Sequence, residues 1–492
     1  MNVGIGKKVG LIVITQITCA ALGYVALVTI LRCYGDAGPR VYGVLSGGLA
    51  IFGLFGFIQN MGFRWAHMKR ISEGNNLGTC IGTFAAIEIL LTVVMMLVIL
   101  TVGHLPGSKI LPIVSALVIY ALFIGLRDIG SITFDAKRET AKSQVTLIAE
   151  TVIRLMVIVP MALLTLSVAW LARAYVVGIL ASFFVALFLM KEYIPVIKRP
   201  TRSFLKTYWT FAGPMCLLSM IIPINTNINT MLLLYLRPLA DVGCYAAMDR
   251  IRFFLAAIPG AIGMLLLPTI SSYHVNSAKD DIKALMSAAM RYASMIMFPI
   301  VVLILILNKP IIHILLSDAV LPGAPALCLL AVSLLFWTLS TPYIALVGGI
   351  ERRGLGATMG AAMCCTNAAL SLVLIPSYGP LGAATAVLIA SVVGFVIVVF
   401  APQDGLAISW RPIGIHLLAA VVMGSFLYLL LWLGMPSTRG YHLLVLSVVG
   451  VGAYLGVLVA LHEFRRWDLK FLTRILYPGE MRAYVLSELE KK

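Results

Sequence analysis

The chain has 492 residues, of which 61% are hydrophobic and only 12% charged, with a mean hydropathy of +1.01 and a formal net charge of +17. No soluble globule of ordinary shape hides that much apolar surface, so the bilayer must act as solvent. The basic excess then reads as a topology signal and an attraction to anionic membrane lipids, and nucleic acid is excluded as a partner.

Crossing a hydrocarbon core of ~30 Å takes ~20 apolar helical residues. Fourteen runs meet that need: Val9 to Leu31, Val41 to Met61, Leu77 to Val102, Ile110 to Leu126, Val145 to Leu166, Val168 to Met190, Tyr208 to Leu236, Gly243 to Leu267, Tyr292 to Leu307, Ala326 to Val347, Leu355 to Ile375, Leu381 to Phe400, Ile413 to Leu433 and Tyr441 to Leu461. The expected fold is an all-α integral membrane protein of 14 transmembrane helices, the last two an addition to twelve. Lys7 and Lys8 flank the first run as in a signal peptide. That run is too long for one and no small-residue cleavage pattern follows, so it is expected to stay as a span.

Cytoplasmic segments retain the excess of Lys and Arg. Placing the N-terminus inside puts most of the 37 basic residues there, and an even number of spans returns the C-terminus to the cytoplasm. The expected location is the cell (cytoplasmic) membrane, multi-pass. External loops are short, the longest being roughly 308–325. The main cytoplasmic segments are 127–144, 191–206, 269–291, whose second half reads as a surface helix, and a basic tail from His462. Such loops offer no room for an external catalytic domain, so an enzyme is not expected, and a membrane-embedded glycan polymerase is the less favoured reading.

The eight cysteines lie in or beside spans without CxxC spacing and read as small apolar packers, although Cys33 and Cys244 both fall near outer helix ends where they could pair. Seven scattered histidines without an acidic cluster give no metal site and no cofactor.

Leu31 to Val44 (LRCYGDAGPRVYGV) echoes Leu234 to Ala247 (LYLRPLADVGCYAA): each is a helix end, a short Gly- or Pro-bearing turn, then a tyrosine opening the next helix. Parallel repeats are therefore expected, with halves at residues 1–203 and 204–402, a remainder at 403–492, and a site between halves near the bilayer midplane.

Charges inside spans cost ~2.5 to 3.5 kcal/mol each at the centre, so they face protein or water and mark a pathway. Arg154 and Arg252 each lie nine residues into their spans, from opposite sides, and at 1.5 Å per residue both reach ~13 Å depth. Glu88, eleven residues in, reaches ~16 Å and joins that layer. Asp249 and Arg252 can pair at i, i+3, and Glu150 and Arg154 at i, i+4. Either the pairs line a water-filled face or they are self-neutralised links between helices. Arg250 points ~100° from Arg252; it and Arg173, closer to outer ends, read as snorkelling side chains. Counting Arg154, Arg173, Arg250 and Arg252 against Glu88, Glu150 and Asp249 leaves a positive surplus, which suits a phosphate or pyrophosphate held by guanidinium forks. In the seventh span Pro214 and Pro223 precede Asn225, Asn227 and Asn229, an expected interruption. Together with Asn367 and Thr385, these side chains are either ligands for a coupling ion or interhelical hydrogen-bonding groups.

The stretches DVGCYAAMDRIRFFLAAIPGAIGMLLLPTISSY (Asp241 to Tyr273), GGIERRG (Gly348 to Gly354) and YGPLGAATAVLIA (Tyr378 to Ala390) resemble the polysaccharide transporter branch of the multidrug/oligosaccharidyl-lipid/polysaccharide exporter superfamily, the O-antigen-type lipid-linked oligosaccharide flippases. The resemblance covers essentially the whole chain. It implies two six-helix lobes in a V around a central cavity, plus two C-terminal helices. It also implies alternating-access movement of an isoprenoid-diphosphate-linked oligosaccharide, driven by H⁺ or Na⁺, with glycan-assembly proteins as possible partners. By position, Arg154 and Arg252 become headgroup candidates, and the neighbouring charges Arg250, Asp249 and Glu150 complete the substrate-binding set. By position, too, Asn225 and Asn367 become candidates for sodium coupling, with Thr385 as a further oxygen, and Glu88 offers a proton-coupled alternative. A multidrug/cation antiporter of the same superfamily is the alternative.

Overall fold

A computed structural model of the chain describes residues 3–276, 278–400, 410–437 and 439–463; the expected basic tail beyond residue 463 lies outside the described residues. The chain forms two compact units, one running to Ala246 and the other starting at Ala247. The first holds α1 (Val3–Cys33), α2 (Gly38–Phe55), α3 (Phe57–Asn60), α4 (Phe63–Ser72), α5 (Leu77–Gly103), α6 (Val114–Ala136), α7 (Thr140–Leu163), α8 (Val168–Leu189) and α9 (Arg202–Leu236). Helix α10 (Leu239–Leu255) contains the boundary. The second unit continues with α11 (Ala257–Val275), α12 (Lys279–Leu315), α13 (Ala324–Gly349), α14 (Arg353–Tyr378), α15 (Pro380–Phe400), α16 (Arg411–Trp432) and α17 (Gly440–Ala460). Among the described residues no strand occurs, and 14 helical segments are long and apolar enough to cross a membrane. The expected all-α membrane fold is borne out.

Helix ends follow local chemistry. The Asn76 side chain caps α5 by accepting from the Thr79 amide (3.1 Å), and Thr201 caps α9. Several helix boundaries differ from the sequence reading. The eighth span breaks at Ala256 into α10 and α11, because Pro259 has no amide proton for the Leu255 carbonyl. Similarly, α12 kinks at Leu307, where the Pro310 ring displaces the carbonyl of Ile306. The expected surface helix before residue 291 is instead the start of α12, with Ile282, Met286, Ala289 and Met290 buried. In contrast, α9 runs unbroken for 35 residues, so the expected interruption at its prolines does not occur. There Asn227 Nδ2 donates to the Pro223 carbonyl (2.8 Å).

The two echoed turns have a structural counterpart. Helices α2 and α10 each break after a similar length, at Gly56 and Ala256. At their starts they cross so closely that a Cβ on Gly43 would overlap the Leu239 carbonyl oxygen, and one on Gly243 would overlap that of Pro39. The contact is reciprocal, as a local two-fold axis requires. Lys109, in the loop before α6, donates to the Leu234 and Arg237 carbonyls (2.6 and 2.8 Å) and caps the same corner.

In the second unit the core splits in two. One part joins α11, α12, α13, α14 and α15 around Ile270, Met290, Tyr343 and Met363. The other seats α16 and α17 on α12 through Phe298, Leu307, Met423 and Tyr454. All eight cysteines are free thiols, so Cys33 and Cys244 do not pair.

Outside the spans, α4 is knotted to the first unit by His67. Its Nδ1 lies 2.9 Å from Tyr208 Oη and its Nε2 lies 3.1 Å from Thr133 Oγ1, while the ring stacks on Phe84. Thr133 donates its own proton to the Ile129 carbonyl, so His67 Nε2 carries hydrogen, and Nδ1 of the neutral ring shares the Tyr208 hydroxyl proton with the Cys80 carbonyl, 3.3 Å from that hydroxyl. Among the described residues no charged group meets the ring, and burial pushes its pKa down to about 3, from 6.5. Between those values the unfolded chain holds one more proton than the folded one, so acidification through that window destabilises the fold. Melting the protein in detergent at pH 7 and pH 5 is expected to show a loss of about 2 kcal/mol from this group. His67→Gln, which keeps a donor and an acceptor, is expected to flatten that slope.

Candidate substrate and coupling sites

Two groups of intramembrane charge stand out. The first lies where α6, α7 and α8 meet. Glu150 Oε1 accepts from Tyr120 Oη (3.1 Å) and from an Arg154 guanidinium nitrogen (3.3 Å), while Oε2 lies 3.6 Å from Arg127. Arg154 also lies over the Tyr175 ring at 4.9 Å. Arg127 Nε is 2.8 Å from Asp128 Oδ1, but its N–H is not aimed along that line, so this contact is Coulombic. The side chains of Glu150 and Arg127 are only 6% and 11% exposed. The expected Glu150–Arg154 pair is thus present and is part of a larger network. Two guanidiniums face two carboxylates, so the group has no surplus charge.

Arg127, Asp128 and Tyr120 were not among the sequence candidates. The fourth run ends at Leu126 when counted by hydropathy, whereas α6 continues to Ala136. The signal was there: Tyr120, Arg127 and Ser131 repeat at seven and four residues, one face of a helix. Glu88, buried on α5, falls within the field of Asp128 and Arg64.

The second group sits on α10. Arg252 Nε donates to Asp249 Oδ1 at 2.6 Å, the expected i, i+3 pair. Arg250 is different. Its Nε is buried, and among the described residues no partner hydrogen-bonds to it. Asp249 offsets only one of the two arginines, so the positive surplus counted in the sequence is localised here, just before the Ala256 break. Arg173 lies exposed over the Trp170 ring at 4.1 Å, as a snorkelling side chain would.

The neutral candidates do not form one cluster within a unit. Asn225 lies on α9 in the first unit. Asn367 on α14 is buried and accepts from Ser371 Oγ (3.4 Å), and the Thr385 hydroxyl on α15 donates to its own Leu381 carbonyl (2.8 Å). Among the described residues no group of His, Cys, Asp and Glu could hold a metal ion.

Comparison with known proteins places this architecture. Residues 38–325 match the family model described as polysaccharide biosynthesis protein. No curated protein matches the chain. Among solved structures, the lipid II flippase MurJ in an inward closed conformation is similar over 92% of this chain and 98% of that one, with 15% identity and a TM-score of 0.73. An inward-facing multidrug resistance MATE family transporter of the MOP superfamily is similar over 77% and 93%, at 14% identity and a TM-score of 0.60. A MOP superfamily transporter from Pyrococcus furiosus follows at 14% identity, over 79% and 92%, with a TM-score of 0.52. The TM-scores establish the shared fold, and the family match covers more than half of the sequence: this chain belongs to the polysaccharide biosynthesis protein family.

Proposed function

We propose that the protein is a flippase that carries an isoprenoid-diphosphate-linked oligosaccharide across the cytoplasmic membrane by alternating access, with both termini cytoplasmic. The observation that carries this reading is the cationic surplus on α10, where no described residue hydrogen-bonds to the buried Arg250 Nε beside the Asp249–Arg252 pair. A fixed guanidinium in a low-dielectric span attracts a diphosphate strongly and repels an organic cation. Family membership supports the same reading. A multidrug/cation antiporter would need an unengaged carboxylate within a charge group, and there Glu150 is engaged by Arg127, Arg154 and Tyr120, Asp128 by Arg127 and Asp249 by Arg252, which leaves Glu88 for the coupling proton. Transport rather than catalysis is the proposed activity, and glycan-assembly enzymes are the proposed partners.

Proteoliposomes loaded with a lipid-linked oligosaccharide test this directly. Translocation of the glycan lipid without efflux of a cationic dye is expected; dye efflux with an immobile glycan lipid would overturn the reading. Coupling is proposed to run through Glu88 by proton, because Asn225, Asn367 and Thr385 bring no carboxylate. Flipping is therefore expected to follow an imposed pH gradient and to ignore sodium, and Glu88→Gln is expected to abolish the pH response. A rate set by sodium at constant pH would move the coupling site to the asparagines.

A further inference from the structure

The connections between spans two and three, four and five, and six and seven lie on one membrane face by parity, and there α4, α6 and α9 enclose an open cleft of 470 Å³. Trp65 and Lys69 from α4, Asp135 at the end of α6, Arg138 just beyond it, and Phe211 and Met215 from α9 line it. We propose that this cleft binds the phosphate-bearing headgroup of a membrane lipid, with the upper part of its hydrocarbon chain against the aromatic wall.

Charge and shape both favour that occupant. The acids are already engaged: Asp135 Oδ1 accepts from Ser143 Oγ at 2.6 Å, and Glu73, at the rim, takes a close bond from Arg70 (2.7 Å). Lys69 is only loosely paired to Glu73, at 3.8 Å, and its ammonium lies 4.7 Å above the Phe211 ring. Arg64, Lys69, Arg70 and Arg138 thus outnumber Asp135 and Glu73, and the cleft and its rim are cationic. Trp65 is 54% exposed, as suits an indole at headgroup level. Basic pockets between helix ends on the Lys/Arg-rich face hold anionic headgroups for this reason. Arg138 moreover keeps φ at +63°, a left-handed conformation that favours glycine or asparagine. A long cationic side chain thus stands at a position where the backbone alone favours a smaller residue.

Two sources share this chemistry: bulk anionic phospholipid and the proposed prenyl-diphosphate substrate. Brominated phosphatidylglycerol quenches tryptophan by contact, and the Trp65→Phe difference isolates the signal from the cleft. Saturable quenching by brominated phosphatidylglycerol is expected, with brominated phosphatidylcholine much weaker. Lys69→Gln and Arg138→Gly are each expected to weaken binding about fivefold, the worth of one charge near the surface. Arg138→Gly also relaxes the backbone, so its melting temperature should hold or rise while binding falls, which a purely structural role would not produce. Farnesyl diphosphate that displaces the phospholipid far better than inorganic pyrophosphate assigns the cleft to the substrate, and failure to displace assigns it to bulk lipid. Equal quenching by both phospholipids, or unchanged affinity in folded Lys69→Gln and Arg138→Gly, would overturn the proposal. The readout is binding, so it stands or falls apart from translocation.

Discussion

Glu150→Ala is expected to be the most destabilising single substitution in the first unit. It removes the one carboxylate that both Arg127 and Arg154 approach, leaving Arg127 with Asp128 alone and taking from Arg154 its carboxylate partner. Stripping one partner from a buried ion pair costs about 3 to 5 kcal/mol, mostly the penalty of the charge left behind. Tyr120 loses its acceptor as well. Glu150→Gln should be milder, since its amide oxygen still accepts from Tyr120 and Arg154. Adding Arg154→Met to Glu150→Gln should recover part of the loss by removing the uncompensated cation, since Arg127 keeps Asp128 at 2.8 Å. The measurement is the detergent-solubilised melting temperature, read by size-exclusion chromatography after heating. A Glu150→Ala protein that melts like the wild type, or a double variant worse than the sum of its parts, would show that the network does not hold α6, α7 and α8 together.

The network also shows what hydropathy reveals and what it hides. All fourteen spans could be read from the sequence, because bilayer thickness fixes the length of an apolar run and little else in a chain imitates that signal. The Glu150–Arg154 and Asp249–Arg252 pairs were legible too, since helical spacing alone brings them together. Arg127 was not, because a hydropathy count stops at the first charge while a helix stops only where its backbone bonds run out. The same bias turned the start of α12 into a separate surface helix. Proline misled in both directions. Pro259 breaks the eighth span, yet Pro223 leaves α9 whole, with the Asn227 side chain bonded to the Pro223 carbonyl. Whether a missing backbone bond bends a helix depends on the groups packed around it, and that information is not local in sequence. The standing of Arg250 was hidden for a similar reason. Distance from a span end suggests snorkelling, whereas burial of its Nε is a property of the neighbouring helices.

Arg250→Ala is expected to leave the protein folded and translocation lost. No described residue hydrogen-bonds to the buried Nε, so removing the side chain strands no hydrogen-bond acceptor, and the α10 backbone is unaffected. If the guanidinium binds a diphosphate in a water-poor setting, truncation removes about 2 kcal/mol or more of binding, a roughly 30-fold loss in transport at limiting substrate. Arg250→Lys separates charge from geometry: the ammonium keeps the sign but cannot offer the planar fork, so an intermediate loss is expected. Arg252→Ala should also abolish transport, but with a stability cost, because it leaves the half-buried Asp249 without the 2.6 Å partner it now has. Arg173→Ala serves as the control, since its exposed stacking on Trp170 is worth only ~0.5 to 1 kcal/mol and touches neither charge group. The decisive comparison is initial flipping rate against melting temperature across these four proteins. Loss of rate that tracks loss of stability in all of them would make α10 a structural helix. Loss of rate at Arg250 with an unchanged melting temperature makes it the place where the lipid diphosphate is held.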